Sequence, residues 1–233
     1  MTASNKYFTK FEIALWGTSI ACIIAGFIVF EGSSFLTLIA SLVGVSAILI
    51  YSKGNPVGQL LMVIFSVLYG IISFSSHYYG EMVTYLGMTG PMAVFAFVSW
   101  LRHPYKGNRS QVEVNEIKRP EYGLLIVLTI VVTVAFYFIL AYFDTASLLV
   151  STLSVTTSFV AVYLTWRRSK FFSLAYACND VVLIVLWTIA STIDRRYISV
   201  IICFIAFLAN DIYAFINISR LALCQKLVDN SIS

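Results

Sequence analysis

Eight long apolar runs dominate the chain and leave it little freedom of architecture. They lie at Phe11–Phe30, Phe35–Tyr51, Val57–Phe74, Met82–Leu101, Tyr122–Tyr142, Thr145–Trp166, Phe171–Ala190 and Tyr197–Ile218, more than two thirds of the 233 residues. A helix needs about 20 such residues to cross about 30 Å of hydrocarbon, with roughly 17–25 tolerated. Composition agrees, at 60% apolar and 11% charged, against about 45–50% and about 25% for a soluble domain. So few charges cannot solvate a globular surface. Continuous runs are also unlike the short alternating strands of a membrane barrel. The expectation is an all-α polytopic membrane protein of eight transmembrane helices, bathed in lipid. A net charge of only +4 argues against a nucleic-acid partner. The four cysteines (Cys22, Cys178, Cys203, Cys224) lie in or beside apolar stretches without metal-site spacing, and read as small buried hydrophobes.

Basic residues set the expected orientation, because Lys and Arg gather in cytoplasmic loops. With the N-terminus inside, the inner segments hold thirteen: Lys6, Lys10, Lys53, Arg102, Lys106, Arg109, Lys118, Arg119, Arg167, Arg168, Lys170, Arg220 and Lys226. The outer turns hold Arg195 and Arg196 alone. Both ends are therefore expected in the cytoplasm. The first run is too long for the core of a signal peptide and lacks a small-x-small cleavage site, so it reads as a helix that stays.

Spans two to four and six to eight form two similar triplets, each with a basic inner turn and a tyrosine near the outer turn. Lys53 to Tyr79 is 26 residues and Lys170 to Tyr197 is 27. The expected organisation is an extra N-terminal helix (1–33), a first three-helix repeat (34–101) and a loop with a linker helix (102–144). A second repeat (145–221) and a cytoplasmic tail (222–233) follow. The loop Arg102–Glu121, with Pro104, Gly107 and Pro120, reads as a solvated linker. Repeats in parallel orientation place transport sites between them, near the midplane.

Three charged residues fall inside the expected spans: Glu12, Asp180 and Asp211. Glu12 lies one residue into the first span and reads as an interfacial group. The other two each follow an asparagine, giving Asn179-Asp180 and Asn210-Asp211. Asn179 is nine residues past Lys170 and Asn210 ten before Arg220, so at about 1.5 Å per residue both doublets sit at one depth. A carboxylate there costs on the order of 2.5–3.5 kcal/mol, which calls for a polar cavity or a partner. Hydrogen bonding between helices is the plainer alternative, worth only about 0.6–2 kcal/mol per bond.

Neighbouring residues favour a cavity for a flat, polar ligand. Phe172, Tyr176, Asn179/Asp180, Leu183 and Trp187 recur at three- and four-residue steps on span seven. Asn210, Tyr213 and Asn217 share a face of span eight, with Phe207 and Phe215 beside it, and Ser154, Thr157 and Ser158 cluster on span six. Rings stack on heterocycles and attract cations; amides and carboxylates bond carboxamides and hydroxyls. Gly87, Gly90 and Pro91 mark a kink or a close packing point in span four. No phosphate-binding glycine loop is present. No lysine is placed for a Schiff base, and His77 and His103 lie at opposite membrane faces, so no metal or cofactor is expected. An intramembrane aspartyl hydrolase using Asp180 and Asp211 stays open.

In spans seven and eight the sequence resembles the PnuC family of bacterial vitamin transporters. Phe172 stands seven residues before Asn179, and Asn210 five before Phe215, similar to the family's aromatic–Asn and Asn–aromatic pairs. Leu68-Tyr69-Gly70-Ile71-Ile72-Ser73-Phe74 and Gly90-Pro91-Met92 running to Trp100 are similar to its patterns in spans three and four, and the resemblance covers Thr37–Arg220. Tryptophans usual in the family site are Phe172, Ala175 or Tyr176, and Phe215 here, and Phe65 and Ala93 replace polar positions. The resemblance implies a 3-1-3 helix arrangement related to SWEET sugar transporters, preceded by one extra helix. It implies a carrier, not an enzyme, in a bacterial cell (inner) membrane, assembled as a homotrimer. The expected activity is uptake of a small heterocyclic vitamin, nicotinamide riboside first, by facilitated diffusion with alternating access. Thiamine or another vitamin, and proton-coupled carriage through Asp180 or Asp211, remain alternatives. The expected ligand contacts are Asn179, Asp180, Asn210, Asp211, Phe172, Tyr176, Trp187, Tyr213 and Phe215.

Overall fold

A computed structural model describes residues 7–31, 34–75 and 79–231; Lys6 and His77, used above, lie outside them. Helix α1 (Lys10–Gly26) runs into a π turn at Phe27–Glu31 and is followed by α2 (Phe35–Tyr51) and α3 (Val57–Ser75). The fourth span is broken into α4 (Tyr79–Val83), a π-helical stretch Thr84–Thr89, and α5 (Gly90–Arg102). A hairpin of β1 (Pro104–Tyr105) and β2 (Asn108–Val112) precedes α6 (Arg119–Tyr142), α7 (Leu148–Trp166), α8 (Phe172–Ser191) and α9 (Ile198–Asn230). Seven spans have the length and hydropathy to cross a membrane, and α2 is a shorter apolar helix of 17 residues.

Proline chemistry explains the break in the fourth span. Pro91 has no N–H to give to the carbonyl one turn back, so the helix cannot run through as a regular α-helix. It widens instead, and Gly90 N–H bonds Tyr85 O, five residues back. A Cβ on Gly90 would lie 3.0 Å from that carbonyl, so glycine is required for the close approach. Hydroxyls elsewhere bond their own helix: Ser41 to Thr37 O at 2.9 Å, Ser66 to Met62 O at 2.9 Å, Thr152 to Leu148 O at 2.8 Å. They enter lipid without needing a second helix.

α3 packs against both α2 and α5, α8 packs against both α7 and α9, and the groups meet where α5 touches α7 and α2 touches α9. α1 lies against α9 and α2, and α6 leans on α7. A Cβ on Gly44 would come within 2.4 Å of the Phe207 ring; only glycine lets α2 and α9 approach this closely. At the end of the bundle opposite the basic turns, Asp194 caps the turn Arg195–Tyr197 through Arg196 N at 2.9 Å. The Arg196 guanidinium, bonded at 2.7–2.9 Å, holds that exposed carboxyl below its usual range.

Two features add to the expectation at the basic end. The loop after α5, mostly exposed as a solvated linker should be, folds as a hairpin turning on Lys106 and Gly107, both at positive φ. The last helix continues past the apolar run: α9 reaches Asn230 because no Gly or Pro interrupts its strong helix formers. The two features hold each other. Gln225, 6% exposed, gives its amide to Val112 O and accepts from Val114 N, both at 2.9 Å. Val112 N bonds Gly54 O at 2.8 Å, Glu113 N bonds His103 O at 2.9 Å and Asn115 N bonds Arg168 O at 3.0 Å. One strand thereby ties the basic ends of both helix groups together. Gln225→Ala strands two buried backbone groups at about 1–3 kcal/mol. Trypsin should then nick the loop at Lys106 or Arg109 roughly tenfold faster, a measure of local opening.

Candidate functional site

α8 and α9 run side by side, and their acids meet. Asp180 and Asp211 line one cavity and lie within electrostatic reach of each other, and the Tyr51 hydroxyl of α2 donates to Asp211 Oδ1. Asp180 Oδ2 is buried and has no hydrogen-bond partner among the described residues. On the α7 side, Asn179 Oδ1 accepts from Thr157 Oγ1 at 2.8 Å and Ser158 Oγ at 3.0 Å. The hydroxyl cluster expected on span six thus orients the Asn179 amide.

A cavity of about 40 Å³ lies between these groups, lined by Tyr51, Phe65, Tyr85, Thr89, Ser158, Tyr176, Asn179, Asp180, Phe207 and Asp211, among others. Two carboxyl groups face it and, among the described residues, no Lys, Arg or His does. Tyr51 and Tyr176 stack with ring centres 6.4 Å apart and planes at 22°. Phe65 meets Tyr85 edge-on at 6.0 Å and Phe207 at 5.7 Å. The wall is therefore aromatic with a few convergent polar groups, the usual make-up of a small-molecule site.

Of the nine expected ligand contacts, Tyr176, Asn179, Asp180 and Asp211 line this cavity. Phe172 lies behind it, edge-on to Tyr51 at 5.3 Å and to Trp100 at 5.6 Å. Trp187 stands farther up α8, its indole reaching the Tyr69 hydroxyl and its ring 5.1 Å from Tyr197. The other three turn elsewhere. Asn210 donates to Ser19 Oγ of α1 at 2.7 Å and to Ala206 O at 2.8 Å. Tyr213 donates to Glu12 Oε1 at 2.6 Å, and Phe215 stacks on Phe171 at 6.1 Å. Successive helix residues point about 100° apart, so on α9 only the acid of the doublet faces the cavity. The amide faces the first helix.

Glu12 is not the interfacial group expected. It is fully buried, accepting from Thr9 N at 2.7 Å in a capping box and pairing with Lys53 Nζ at 2.5 Å. With the Tyr213 bond it ties α1 to the α2–α3 turn and to α9. Sequence reading missed Tyr51, Tyr85 and Thr89, and placed Glu81 one residue outside the fourth span. Helix α4 starts at Tyr79, and Glu81 is 5% exposed. The signal for Glu81 was an acid flanked by apolar residues with no turn-forming residue between it and the span.

Relatives of the chain share this architecture. A family model described as nicotinamide mononucleotide transporter matches residues 34–220. The nicotinamide riboside transporter PnuC of Neisseria mucosa is 25% identical over 219 residues, covering 91% of this chain and 82% of that protein. A crystal structure of the vitamin B3 transporter PnuC superposes with a TM-score of 0.80 at 21% identity, over 94% of each chain. The region matched by the family model begins at α2 and ends within α9. The chain is a multi-span membrane transporter and belongs to the nicotinamide mononucleotide transporter family, the PnuC transporters.

Proposed function

We propose that this protein carries nicotinamide riboside, a permanently cationic pyridinium nucleoside, by facilitated diffusion with alternating access. The observation that carries the reading is the charge of the cavity: two acids and, among the described residues, no basic side chain. Of two acids facing one small buried cavity, one ionises and the other keeps its proton, which leaves one negative charge to match one ring cation. A mononucleotide would bring a phosphate dianion against that charge. The site therefore favours the riboside, the ligand in the printed name of the Neisseria relative.

Asp180 and Asp211 balance the ring charge, Asn179 bonds the carboxamide or a ribose hydroxyl, and Tyr51, Tyr85 and Tyr176 supply ring faces. Phe172 supports Tyr51 from behind, and Trp187 lies farther up α8 beside Tyr197; Asn210, Tyr213 and Phe215 hold α9 in place from behind. The cavity's 40 Å³ is far below the roughly 300–1,000 Å³ of a small-molecule pocket, so a nucleoside enters only as the two helix groups part. With the basic end inside, both termini are cytoplasmic in a bacterial cell membrane, and the protein assembles as a homotrimer.

Binding to purified protein, measured by calorimetry for nicotinamide riboside, its mononucleotide, nicotinamide and thiamine, tests the assignment. The riboside is expected to bind most tightly, and the mononucleotide about 100-fold more weakly. Thiamine binding without riboside binding would replace the vitamin. No binding of either would remove the substrate class. Proton-coupled carriage is the second reading, favoured by two acids facing one cavity; uptake that collapses with an uncoupler would establish it.

A further inference from the structure

Buried polar atoms without partners among the described residues extend beyond the central cavity: Thr145 Oγ1 and Glu81 Oε2 at the end away from the basic turns, Thr89 Oγ1 and Asp180 Oδ2 midway. Such atoms are rare in folded proteins, and each calls for a water or a ligand. Glu81 is the acidic member of the far group. It stands four residues, about one turn, before Tyr85 in the fourth span, and Tyr85 lines the central cavity together with Asp180. The Tyr69 and Tyr85 rings stand 4.3 Å apart, each about 6 Å from Phe65. They form an aromatic partition with one buried acid on each side. Trp187 reaches Tyr69 from α8, so the second helix group closes the partition. The backbone near Glu81 is packed tightly. A Cβ on Gly80 would lie 2.3 Å from Thr145 Oγ1 and 2.7 Å from Leu140, which fixes the start of α4 against α6 and the turn before α7.

We propose that Glu81 is the outer docking carboxylate of the transport path. There a cationic heteroaromatic ring is held against Tyr69, Tyr85 and Trp187 before it passes to Asp180 and Asp211. The proposal rests on the substrate reading above and adds a second station to it. A carboxylate beside aromatic faces attracts a cation by charge and by the ring quadrupoles. Parting of the tyrosines carries the cation from one acid to the next without crossing an uncompensated apolar layer. A neutral ligand of the same shape gains nothing from this station.

The test uses full-length protein in liposomes and compares cationic nicotinamide riboside with its uncharged 1,4-dihydro form. Glu81→Gln is expected to slow uptake of the cation about tenfold at low external concentration. Uptake of the neutral form and equilibrium binding of the cation at the central cavity should stay within about twofold. Glu81→Asp, which keeps the charge, should recover most of the cation uptake. Equal loss for both ligands, or no loss for either, would overturn the proposal. Should the wild type carry thiamine and not the riboside, the vitamin assignment fails alone, and the Glu81 variants are read with thiamine. A wild type that carries no cationic ring overturns both.

Discussion

The double variant Asp180→Asn/Asp211→Asn is expected to bind nicotinamide riboside at least about 100-fold more weakly than the native protein, while each single variant loses only about threefold. The asymmetry follows from the single charge the two acids carry. Removing one carboxyl of the pair releases the other to carry the negative charge, so a single substitution perturbs geometry more than charge. Removing both leaves a cation in a ring-lined cavity with no counter-ion, at a cost of about 2–5 kcal/mol. Asparagine keeps the shape, so Tyr51 and the α8–α9 contact have partners and the fold should hold. Calorimetry on the four proteins completes a double-mutant cycle. Losses that merely add would show that the carboxyls act independently, and native affinity in the double variant would remove Asp180 and Asp211 from the site.

Glu12→Ala should give the largest loss of stability among the substitutions considered. This carboxylate closes the α1 cap on Thr9 and accepts from Tyr213 at 2.6 Å and Lys53 at 2.5 Å, all without exposure to solvent. Breaking a buried ion pair on one side costs about 3–5 kcal/mol, because the remaining charge stays uncompensated. Lys53 is only 18% exposed and has little water to turn to. Melting in detergent is expected to fall by about 8 °C or more. Glu12→Gln keeps hydrogen bonds to Tyr213 and Thr9 and should lose less. Tyr213 is two residues from Asp211, so ligand affinity should fall with the loosened α9. Melting unchanged to within about 1 °C in Glu12→Ala would show that α1 is held by apolar packing alone.

Much of this site was legible before any coordinates. Two Asn-Asp doublets at matched depth mark α8 and α9 as neighbours with polar business between them, and their acids do meet. The hydroxyls of α7 were legible too, through the spacing that puts Thr157 and Ser158 on the Asn179 side. The first helix group hid its share. Tyr51 ends α2, Tyr85 lies in a π-helical stretch, and Glu81 sits near the start of α4, just before the apolar run. The π stretch also shifts the phase of everything before Gly90, so regular helical spacing cannot place Tyr85.

Sequence alone determined the number of apolar runs, the basic bias of one end and the matched positions of the acids. These depend on a residue's position along the chain, and hydrocarbon thickness converts that position into height. Tertiary structure decided rotation about each helix axis: that Asp211 faces the cavity while Asn210 faces Ser19, that Glu12 is buried, and that α9 extends to clasp the hairpin. Lipid tails are as apolar as a helix interior, so a leucine facing either reads the same. Only the neighbouring helix fixes which side looks inward.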